Sequence, residues 1–242
     1  MEISRGQLLR SLALAKSVGS NEALISTTGD ISAASESGSV TFFGKTISPE
    51  QDLGLIDVNL LLNMVAKTNQ KKITATITRR VLKIVDGDSE FGYKLADADI
   101  LEVPNMELIE KYNGLVGLSF KVKVEATRRI ADLIRTIMAK QVVFKSSNGD
   151  LKVVVGKEEM FYGKVSIQEG LGLKDNLEVT FLADELVAVL NVLDFDEIEF
   201  GLSFGENPNG LKFLKIAQED SIWYIGANIE THTEKKEKPE SE

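Results

Sequence analysis

Cysteine and histidine, the side chains that most often carry nucleophilic, acid–base and metal chemistry, are nearly missing from this sequence. The 242 residues contain no cysteine and one histidine, His232. Disulfides, thiolate nucleophiles and cysteine-ligated metals are therefore excluded, and histidine-based catalysis or metal binding has no centre. The sequence predicts a protein that is not an enzyme and that needs no cofactor.

Two Gly-Lys pairs are the nearest match to a phosphate-binding motif. Gly44-Lys45 and Gly163-Lys164 both lack the spaced glycines of a phosphate loop, and both lie in runs of residues that are typical of strands. We therefore interpret both pairs as ordinary strand residues.

Acidic residues form two groups that could hold a cation or build a polar enzyme site. The segment VDGDSEF (Val85–Phe91) lacks the remaining ligands of a calcium loop and predicts a hairpin turn at Asp86-Gly87. The second group is Asp175, Asp184 and Glu185, which lie at a turn and a helix start, where helix capping is a sufficient explanation. An enzyme built on these scattered carboxylates is one alternative hypothesis.

The distribution of charge is more informative than its sum. Acidic residues outnumber basic ones by 37 to 28, which gives a formal net charge of −9 and a pI of about 4.9. Such a balance argues against a protein that binds nucleic acid by bulk electrostatics. The segment Ser4–Ser17 nevertheless contains Arg5, Arg10 and Lys16 and no acid, which indicates a local basic surface.

The chain contains an internal repeat. Polar turns around Gly-Asp lie at Ser26–Ser32 and Ser146–Lys152, each between alternating apolar runs that are typical of a hairpin. Three further landmarks follow in the same order in both halves, at an offset of roughly 120 residues. They are FFGKTI and FYGKVSI (Phe42–Ile47 and Phe161–Ile167), an apolar strand end followed by a helix (Leu55–Val65 and Phe181–Leu193), and an alternating strand (Lys71–Thr78 and Asp196–Phe204).

Each half also begins with an amphipathic helix. Apolar residues at helical spacing mark Ser4–Ser17, where Ser4 is placed to cap the helix, and Glu125–Lys140. The repeated unit is therefore helix, strands, helix, strands. Four helices and many antiparallel strands predict an α+β fold.

Basic residues lie on the helix faces that point away from the apolar stripes. Arg10 lies opposite the leucines of the first helix, Lys67 lies at the margin of the second, and Arg128 and Arg135 lie opposite the apolar stripe of the third. Basic residues are common on any solvated helix face, but here three helices share the bias. The fourth helix presents acidic residues and no base.

Composition divides the chain into four parts. We predict two domains at residues 1–100 and 118–230, a connector with little regular structure at 101–117, and a disordered charged tail at 231–242. The amino terminus lacks the apolar core of a signal peptide, and no segment is long and apolar enough to span a bilayer. We therefore expect a cytoplasmic location.

The order of elements resembles that of the DNA polymerase sliding clamps, and most closely the trimeric clamps of T4-like bacteriophages. The resemblance extends from Met1 to about Ile229 and is strongest in ISPEQDLGLIDVNLLLNMVAKTNQKKI (Ile47–Ile73) and IWYIGANIE (Ile222–Glu230). It implies the DNA-clamp fold, in which two topologically similar domains per chain place helices on the inner face of a ring and antiparallel sheets outside. Three chains would close head to tail as a homotrimer.

This resemblance implies a non-enzymatic processivity factor of phage DNA replication that encircles double-stranded DNA without reading its sequence. Basic side chains that contact phosphates weakly would let the ring slide, while an acidic exterior would discourage DNA from binding the wrong surface. The implied partners are a DNA polymerase, a clamp loader and further copies of the chain, with no membrane, in the host cytoplasm if the protein is viral. The residues expected to face DNA are Arg5, Arg10, Lys16, Lys67, Lys71, Arg128, Arg129, Arg135 and Lys140.

The resemblance also implies an apolar pocket on the outer face that captures a short peptide from the polymerase or the clamp loader. A pocket beside a flexible connector suits an anchored peptide. The positions that map to it are Val40, Leu108, Ile109, Tyr224, Ala227 and Ile229. Without the resemblance, Tyr224 and Ile229 are equally well explained as ordinary sheet residues, and Leu108 and Ile109 as residues that pin the connector.

Subunits of this family join by pairing their edge strands, which removes edges that would risk aggregation in a monomer. The expected pair is Phe91–Asp97 of one chain and Met160–Ile167 of the next. We expect the equivalent joint within the chain between Phe42–Ile47 and Ser221–Tyr224. The interface residues expected between chains are Phe91, Tyr93, Phe161, Tyr162 and Val165.

A structural protein with duplicated domains, which assembles by edge pairing and does not tether DNA, is the main alternative. It would not need the basic bias on three helices, and it predicts no preference for a closed trimer.

Overall fold

The computed structural model describes residues 1–156, 161–174, 177–206 and 210–228. The first half contains, in order, β1 (Glu2–Ser4), α1 (Arg5–Lys16), β2 (Ala23–Ile25), β3 (Asp30–Ala34), β4 (Val40–Lys45), β5 (Leu53–Leu55), α2 (Val58–Ala66), β6 (Lys72–Thr78), β7 (Val81–Asp86) and β8 (Ser89–Lys94). The connector contains a single 3-10 turn (Ala98–Ile100) and helix α3 (Glu107–Asn113). The second half contains β9 (Leu118–Lys123), α4 (Val124–Ile137), β10 (Gln141–Ser147), β11 (Asp150–Gly156), β12 (Tyr162–Gln168), β13 (Glu178–Leu182), α5 (Ala183–Leu190), β14 (Glu197–Phe204), β15 (Lys212–Gln218) and β16 (Ser221–Gly226).

The two halves repeat one unit of β-α-β-β-β-β-α-β-β-β, which confirms the predicted repeat. In each half, the first backbone amide of each helix donates to a carbonyl of a neighbouring connection, and the same bonds recur. The amide of Arg5 in α1 donates to the Lys71 carbonyl, as that of Val124 in α4 donates to the Asp196 carbonyl. The amide of Val58 in α2 donates to the Asn21 carbonyl, as that of Ala183 in α5 donates to the Lys140 carbonyl.

The strands form three sheets, and every pairing is antiparallel. One four-stranded sheet, β1-β6-β7-β8, belongs to the first half, and another, β12-β11-β10-β13, belongs to the second. An eight-stranded sheet of order β5-β2-β3-β4-β16-β15-β14-β9 crosses from one half to the other. At the crossing, Phe42 lies opposite Trp223 and Phe43 opposite Ile222. The pairing predicted within the chain is therefore confirmed.

One continuous core joins the two halves on the helix side of the eight-stranded sheet. The rings of Phe42 and Trp223 are fully buried, with centroids 5.1 Å apart. The Trp223 indole N–H donates to the hydroxyl of Ser17, directly after α1, at 2.9 Å. Because successive strand residues face opposite sides, Phe43 and Tyr224 lie on the other face of the same strands.

The helix starts show which capping predictions hold. The Ser4 hydroxyl accepts a hydrogen bond from the Gln7 amide at 3.4 Å, as expected. In α2, the Asp57 carboxylate accepts one from the Leu60 amide at 2.8 Å. Helix α5 has no side-chain cap, so the expectation that Asp184 caps it is wrong. Asp184 lies in the first turn, where a carboxylate is stabilised by the helix dipole.

The connector contains a helix where we expected little regular structure. In α3, Leu108, Ile109 and Tyr112 share one side, and they pack on aromatic residues of β4, β15 and β16. An isolated helix of this length is not stable in water, so this contact stabilises α3. The prediction failed because Pro104 and Gly114, which lie on either side of this short helix, are typical of an irregular connector.

The repeat is displaced at β4 and β12. The similarity of FFGK to FYGK equates Phe42 with Phe161. The strand pairing instead equates Phe42 with Val165: Phe42 lies opposite Ala33, and Val165 lies opposite Val153. Ala33 and Val153 are equivalent because each follows the Gly-Asp turn at the same distance. The motif therefore identifies the right strands but not the equivalent residues.

Candidate nucleic-acid interface and partner surfaces

Helix α4 separates into a buried side and a basic side. Arg128, Arg129 and Arg135 are exposed on the basic side. Opposite them, the helix buries Val124, Thr127, Ile130, Ala131 and Ile134. The structure therefore places these arginines on the solvent face, as helical spacing predicts.

Six of the nine basic residues expected to face DNA are exposed and, in the part of the chain that the structure describes, form no ion pair. Their charges are not neutralised by neighbouring acids, so they remain available to an external anion such as a phosphate. These residues are Lys16, Lys67, Lys71, Arg128, Arg129 and Lys140.

Arg5 is held by the C-terminal end of α2. Its Nε donates to the Thr68 hydroxyl at 3.1 Å and to the Val65 carbonyl at 3.3 Å, and its Nη2 donates to the Ala66 carbonyl at 3.0 Å. The last carbonyls of a helix have no partner within the helix, and a cation there is stabilised by the helix dipole. Arg5 therefore fastens the start of α1 to the end of α2.

Arg10 connects the two halves of the chain. Its guanidinium forms ion pairs with Asp194 at 3.4 Å and Glu219 at 3.3 Å, and it lies 5.0 Å from the ring centroid of Phe195. These groups are largely exposed, so each pair alone contributes little to stability. Together they orient Arg10 toward the second half.

Among the nine basic residues expected to face DNA, Arg135 is the third that bonds to other residues of the described chain, after Arg5 and Arg10. It forms an ion pair with Asp132 at 3.1 Å, within the same helix. It also donates to the side-chain oxygen of Asn191, directly after α5. Arg135 thus ties α4 to α5 while its side chain remains exposed.

Helix α5 differs from the other long helices because its polar side is acidic. Asp184 is exposed, and Glu185 is partly buried between the halves. The Glu185 carboxylate accepts a hydrogen bond from the Ser39 hydroxyl, in the turn before β4. This bond is a further polar link across the internal joint, besides the ion pairs of Arg10 and the bond from Trp223 to Ser17.

The outer face of the eight-stranded sheet, opposite the core shared by the halves, carries an aromatic cluster formed by Phe43, Phe213 and Tyr224. All three side chains are buried beneath α3. The ring of Tyr112 in α3 lies 4.9 Å from that of Tyr224 and 5.4 Å from that of Phe213. Sequence reasoning missed Phe43, Phe213 and Tyr112. The helical spacing of Leu108 and Tyr112 was the signal that could have identified the apolar side of α3.

Tyr224 fixes the connector to this aromatic cluster. Its hydroxyl is 3.3 Å from the Ile109 carbonyl and 3.0 Å from the side-chain oxygen of Asn113. Burial raises the pKa of Tyr224 to about 12, and the neighbouring Tyr112 and Glu199 add to the increase. The phenol therefore stays protonated, and able to donate a hydrogen bond, at every physiological pH.

The six residues expected in the peptide pocket do not all lie together. Leu108 and Ile109 pack on the aromatic cluster that contains Tyr224. Val40 does not belong there: it is 1% exposed and faces the core on the helix side, because strand alternation places it on the same side as Phe42. Ala227 is partly buried against that same core. Ile229 lies outside the described residues.

Strands β8 and β12 end the two four-stranded sheets, so in the described chain each has an edge without a neighbouring strand. Phe161 is 75% exposed and Tyr162 is 49% exposed beside the β12 edge. Phe91 on β8 and Val165 on β12 are partly buried against the core. Unpaired edges with exposed aromatic side chains are where another chain can add a strand. Met160, at the start of the expected segment, lies outside the described residues.

Tyr93 has a different place from the one we expected at the joint between chains. It is 2% exposed, and its hydroxyl accepts hydrogen bonds from the amides of Ile56 at 3.1 Å and Asp57 at 2.8 Å. Burial raises its pKa. Only its backbone lies on the β8 edge, so its side chain supports its own domain.

The acidic groups behave as turn and helix residues. The Asp86 carboxylate accepts hydrogen bonds from the amides of Asn69 at 2.8 Å and Gln70 at 3.1 Å, and Gly87 has a φ of 61°, which confirms the turn at Asp86-Gly87. Across the described ranges, no group of three or more His, Asp or Glu side chains is arranged to hold a metal ion. Asp175 and the tail with His232 lie outside those ranges. No described helix is long and apolar enough to cross a membrane.

Comparisons with known proteins identify the fold. No protein-family model and no curated protein matches the chain. The structure is similar to the DNA polymerase III subunit beta from Pseudomonas aeruginosa, with a TM-score of 0.71 and 13% identity over 95% of this chain and 64% of that chain. It is similar to a structure of the C-terminal region of FEN-1 bound to A. fulgidus PCNA, with a TM-score of 0.67 and 14% identity over 95% of this chain and 98% of that chain. A chain of the PCNA2-PCNA3 complex from Sulfolobus tokodaii gives a TM-score of 0.65 and 14% identity over 94% of this chain and 99% of that chain.

The fold is therefore that of the DNA sliding clamps, with two topologically similar clamp domains, and the expected fold class is confirmed. The chain spans about two thirds of the bacterial β subunit, at 64%, and nearly all of the PCNA chain, at 98%. At these sequence identities the likeness establishes the fold alone.

Proposed function

We propose that this chain is one subunit of a non-enzymatic DNA sliding clamp, a ring that encircles double-stranded DNA and tethers a replicative DNA polymerase. The proposal includes a homotrimer of the type found in T4-like phages, opened by a clamp loader and acting in the host cytoplasm. It divides the chain into domains at 1–100 and 118–230, a connector at 101–117 and a charged tail at 231–242.

One observation carries the proposal. In a chain with a net charge of −9, six of the described bases without ion pairs lie on the helices or in the loops that follow them: Lys16 on α1, Arg128 and Arg129 on α4, Lys67 and Lys71 between α2 and β6, and Lys140 between α4 and β10. A ring does not need a tight site, because enclosure retains the DNA. Mobile bases that contact phosphates, without reading base edges, permit movement along the duplex. An acidic remainder disfavours DNA on other surfaces.

Ring closure is supported by the free edges of β8 and β12. In the chain, β4 and β16 already join two clamp domains through one sheet. Because β12 is the repeat partner of β4 and β8 is that of β16, the same kind of joint can form between copies. Three copies of two domains would give six joints of one kind, and in a closed ring no β8 or β12 edge is left unpaired.

A partner site on the outer face, beside the aromatic cluster, is also part of the proposal. In the A. fulgidus structure, PCNA is bound to the C-terminal region of FEN-1, a segment of another protein. We place the corresponding site of this chain at the edge of the connector, near Leu108, Ile109, Tyr224, Ala227 and Ile229. Buried Val40 is not part of it.

A trapping experiment tests the proposal without a clamp loader. The protein is first incubated with linear DNA whose biotinylated ends are open, and the ends are then blocked with streptavidin. A threaded ring should stay on the blocked DNA after the salt is raised, and it should leave once a restriction enzyme cuts the duplex. Loss at high salt while both ends are blocked, or retention after the cut, would contradict the proposal.

Charge reversal tests the DNA-facing side. The double variant Lys67→Glu with Arg128→Glu should reduce trapping by about tenfold or more, because repelled phosphates oppose threading. Lys111→Glu with Lys121→Glu makes the same change in net charge on the connector and an outer strand, and it should trap like the wild type. Both variants should keep the mass of the trimer by light scattering. Equal losses in both would favour the structural-protein alternative.

A further inference from the structure

We infer that the joint between two copies of the chain repeats the register of the internal β4–β16 joint, but is closed by an apolar contact between Leu60 of one copy and Tyr162 of the next. The inference rests on the ring of the proposed function and deepens it. The partner of this surface is a second copy of the chain.

The first step is to find the counterpart of β16 in the first half. Cross-strand pairs lead from Phe91 through Ile84 to Ala75 in that half. The same steps lead from Trp223 through Ile216 to Phe200 in the second half. The carbonyl of Lys71 accepts the first amide of α1, and the carbonyl of Asp196 accepts the first amide of α4. Ala75 follows Lys71 at the same distance as Phe200 follows Asp196, so Ala75 and Phe200 are equivalent. Phe91 therefore takes the place of Trp223.

The second step gives the register between copies. Val165 takes the place of Phe42, so the internal pair Phe42–Trp223 becomes Val165 opposite Phe91. The next pair becomes Ser166 opposite Glu90. Val165 and Phe91 are both partly buried, and Ser166 and Glu90 are both exposed. The register thus matches the inward and outward faces of the two strands, whereas a slip of one residue would set apolar against polar side chains.

The third step concerns the end of the joint. In the internal joint, the Ser39 hydroxyl donates to Glu185, the third residue of α5. Tyr162 takes the place of Ser39, and Leu60, the third residue of α2, takes the place of Glu185. Tyr162 and Leu60 are each 49% exposed in the single chain. Two exposed apolar side chains thus occupy positions whose internal counterparts touch, and burying them against each other is favourable.

The fourth step concerns charge. Arg10 corresponds to Arg129, which lies at the same distance from the start of its helix. The internal partners of Arg10, Asp194 and Glu219, correspond to Asn69 and Gly87, and neither of these carries a charge. Equivalent hydrogen bonds support this correspondence. The Asp194 amide donates to the side-chain oxygen of Gln218, directly before Glu219. The Asn69 amide likewise donates to the carboxylate of Asp86, directly before Gly87. Arg129 therefore has no counterpart of the two acids that hold Arg10 in the internal joint.

Cross-linking tests the register, because the chain has no cysteine of its own. Ser166→Cys combined with Glu90→Cys should form a disulfide between copies on oxidation. Ser166→Cys combined with Gly92→Cys represents a register shifted by two residues, which keeps the same strand face, and it should cross-link about tenfold less, since disulfides demand close Cβ atoms. A trimer by light scattering in which the shifted pair reacts equally well, or neither pair reacts, would overturn the register while leaving the ring intact. A monomer would overturn both the register and the ring.

Salt dependence tests the apolar closure. Raising sodium chloride from about 0.1 M to about 1 M screens ion pairs but not apolar contacts, so the trimer dissociation constant should stay within about threefold or decrease. Leu60→Asp should raise it by about tenfold or more, and Ile100→Asp, which changes another exposed apolar residue, should not. A tenfold weaker wild-type trimer in high salt, or normal assembly of Leu60→Asp, would overturn the inference.

Discussion

Arginine side chains on the helices differ in their partners more than in their positions. Arg5 and Arg10 are held by carbonyls and acids from distant parts of the chain, while Arg128 and Arg129 have no acidic partner among the described residues. Helical spacing predicted the solvent face of Arg10 correctly. It could not predict Asp194 and Glu219, because these partners come from loops of the other half, and only the tertiary fold brings them to α1.

Tyr224 offers a test at the residue scale. Tyr224→Phe keeps the ring in the aromatic cluster but removes the hydroxyl that bonds to the connector. We expect the free energy of unfolding to fall by about 1–2 kcal/mol, as for loss of a hydrogen bond that leaves a partly buried acceptor unpaired. Urea denaturation of the wild type and the variant measures the difference. Tyr112→Phe is the matched control, because its hydroxyl has no hydrogen bond in the described chain, and a change of similar size there would refute the assignment.

The same tyrosine predicts an alkaline loss of stability. The pKa of Tyr224 is raised to about 12 in the folded chain, above its ordinary value of 10.0. The folded state therefore favours the protonated phenol, and this contribution is complete below pH 10 and is lost as the pH rises toward 12. The raised pKa of Tyr93 acts in the same direction. Tyr224→Phe should flatten part of this decline, and an unchanged pH profile would contradict it.

At the scale of elements, length and contact decide what the sequence can reveal. The hairpins and α1, α2, α4 and α5 have periodic apolar residues and recur in both halves, so they were predictable. Helix α3 has seven residues and occurs once, and it exists because Leu108, Ile109 and Tyr112 find aromatic partners on the sheet. The register of β12 could not be predicted from the sequence either. The similarity of FYGK to FFGK aligns Phe161 with Phe42, whereas the strand pairing aligns Val165 with Phe42.

Helix α3 should therefore depend on its contact with the sheet. Leu108→Asp places a charge against the aromatic cluster and should detach the helix, because burying an unpaired carboxylate costs more than a short helix gains. We expect hydrogen exchange of the amides in Glu107–Asn113 to approach that of an unstructured chain, while α1 stays protected. Lys111→Asp, on the exposed side, is the control. Full protection of α3 in Leu108→Asp would show that the contact does not stabilise it.

The whole molecule is defined by a sheet and a core that do not stop at the domain boundary. β4 and β16 share backbone hydrogen bonds, and buried residues of both halves form one cluster. Loss of either half would expose the side chains that the other covers. The two domains are therefore similar in topology but not independent in stability.

A single unfolding transition follows from this continuity. Circular dichroism and hydrogen exchange of both halves should report the same midpoint in urea, as in other cooperative units. The midpoint itself should rise with protein concentration if copies assemble. Phe42→Ala should lower the stability of both halves together by about 3–5 kcal/mol, since it leaves a cavity at the crossing. Thr74→Ala, at an exposed position on β6, is its control. Separate midpoints for the two halves would show that the joint does not couple them.

The position of Trp223 gives this molecule a built-in optical reporter. It is the single tryptophan of the chain, it is fully buried beside Phe42, and its indole N–H is bonded to Ser17 of the other half. Its fluorescence therefore comes from one place, the seam between the domains, and water reaching that seam would move the emission to longer wavelength. Opening of the proposed ring between copies would leave the emission unchanged, whereas parting of the domains within a chain would shift it. One spectrum thus distinguishes the two kinds of joint without any label.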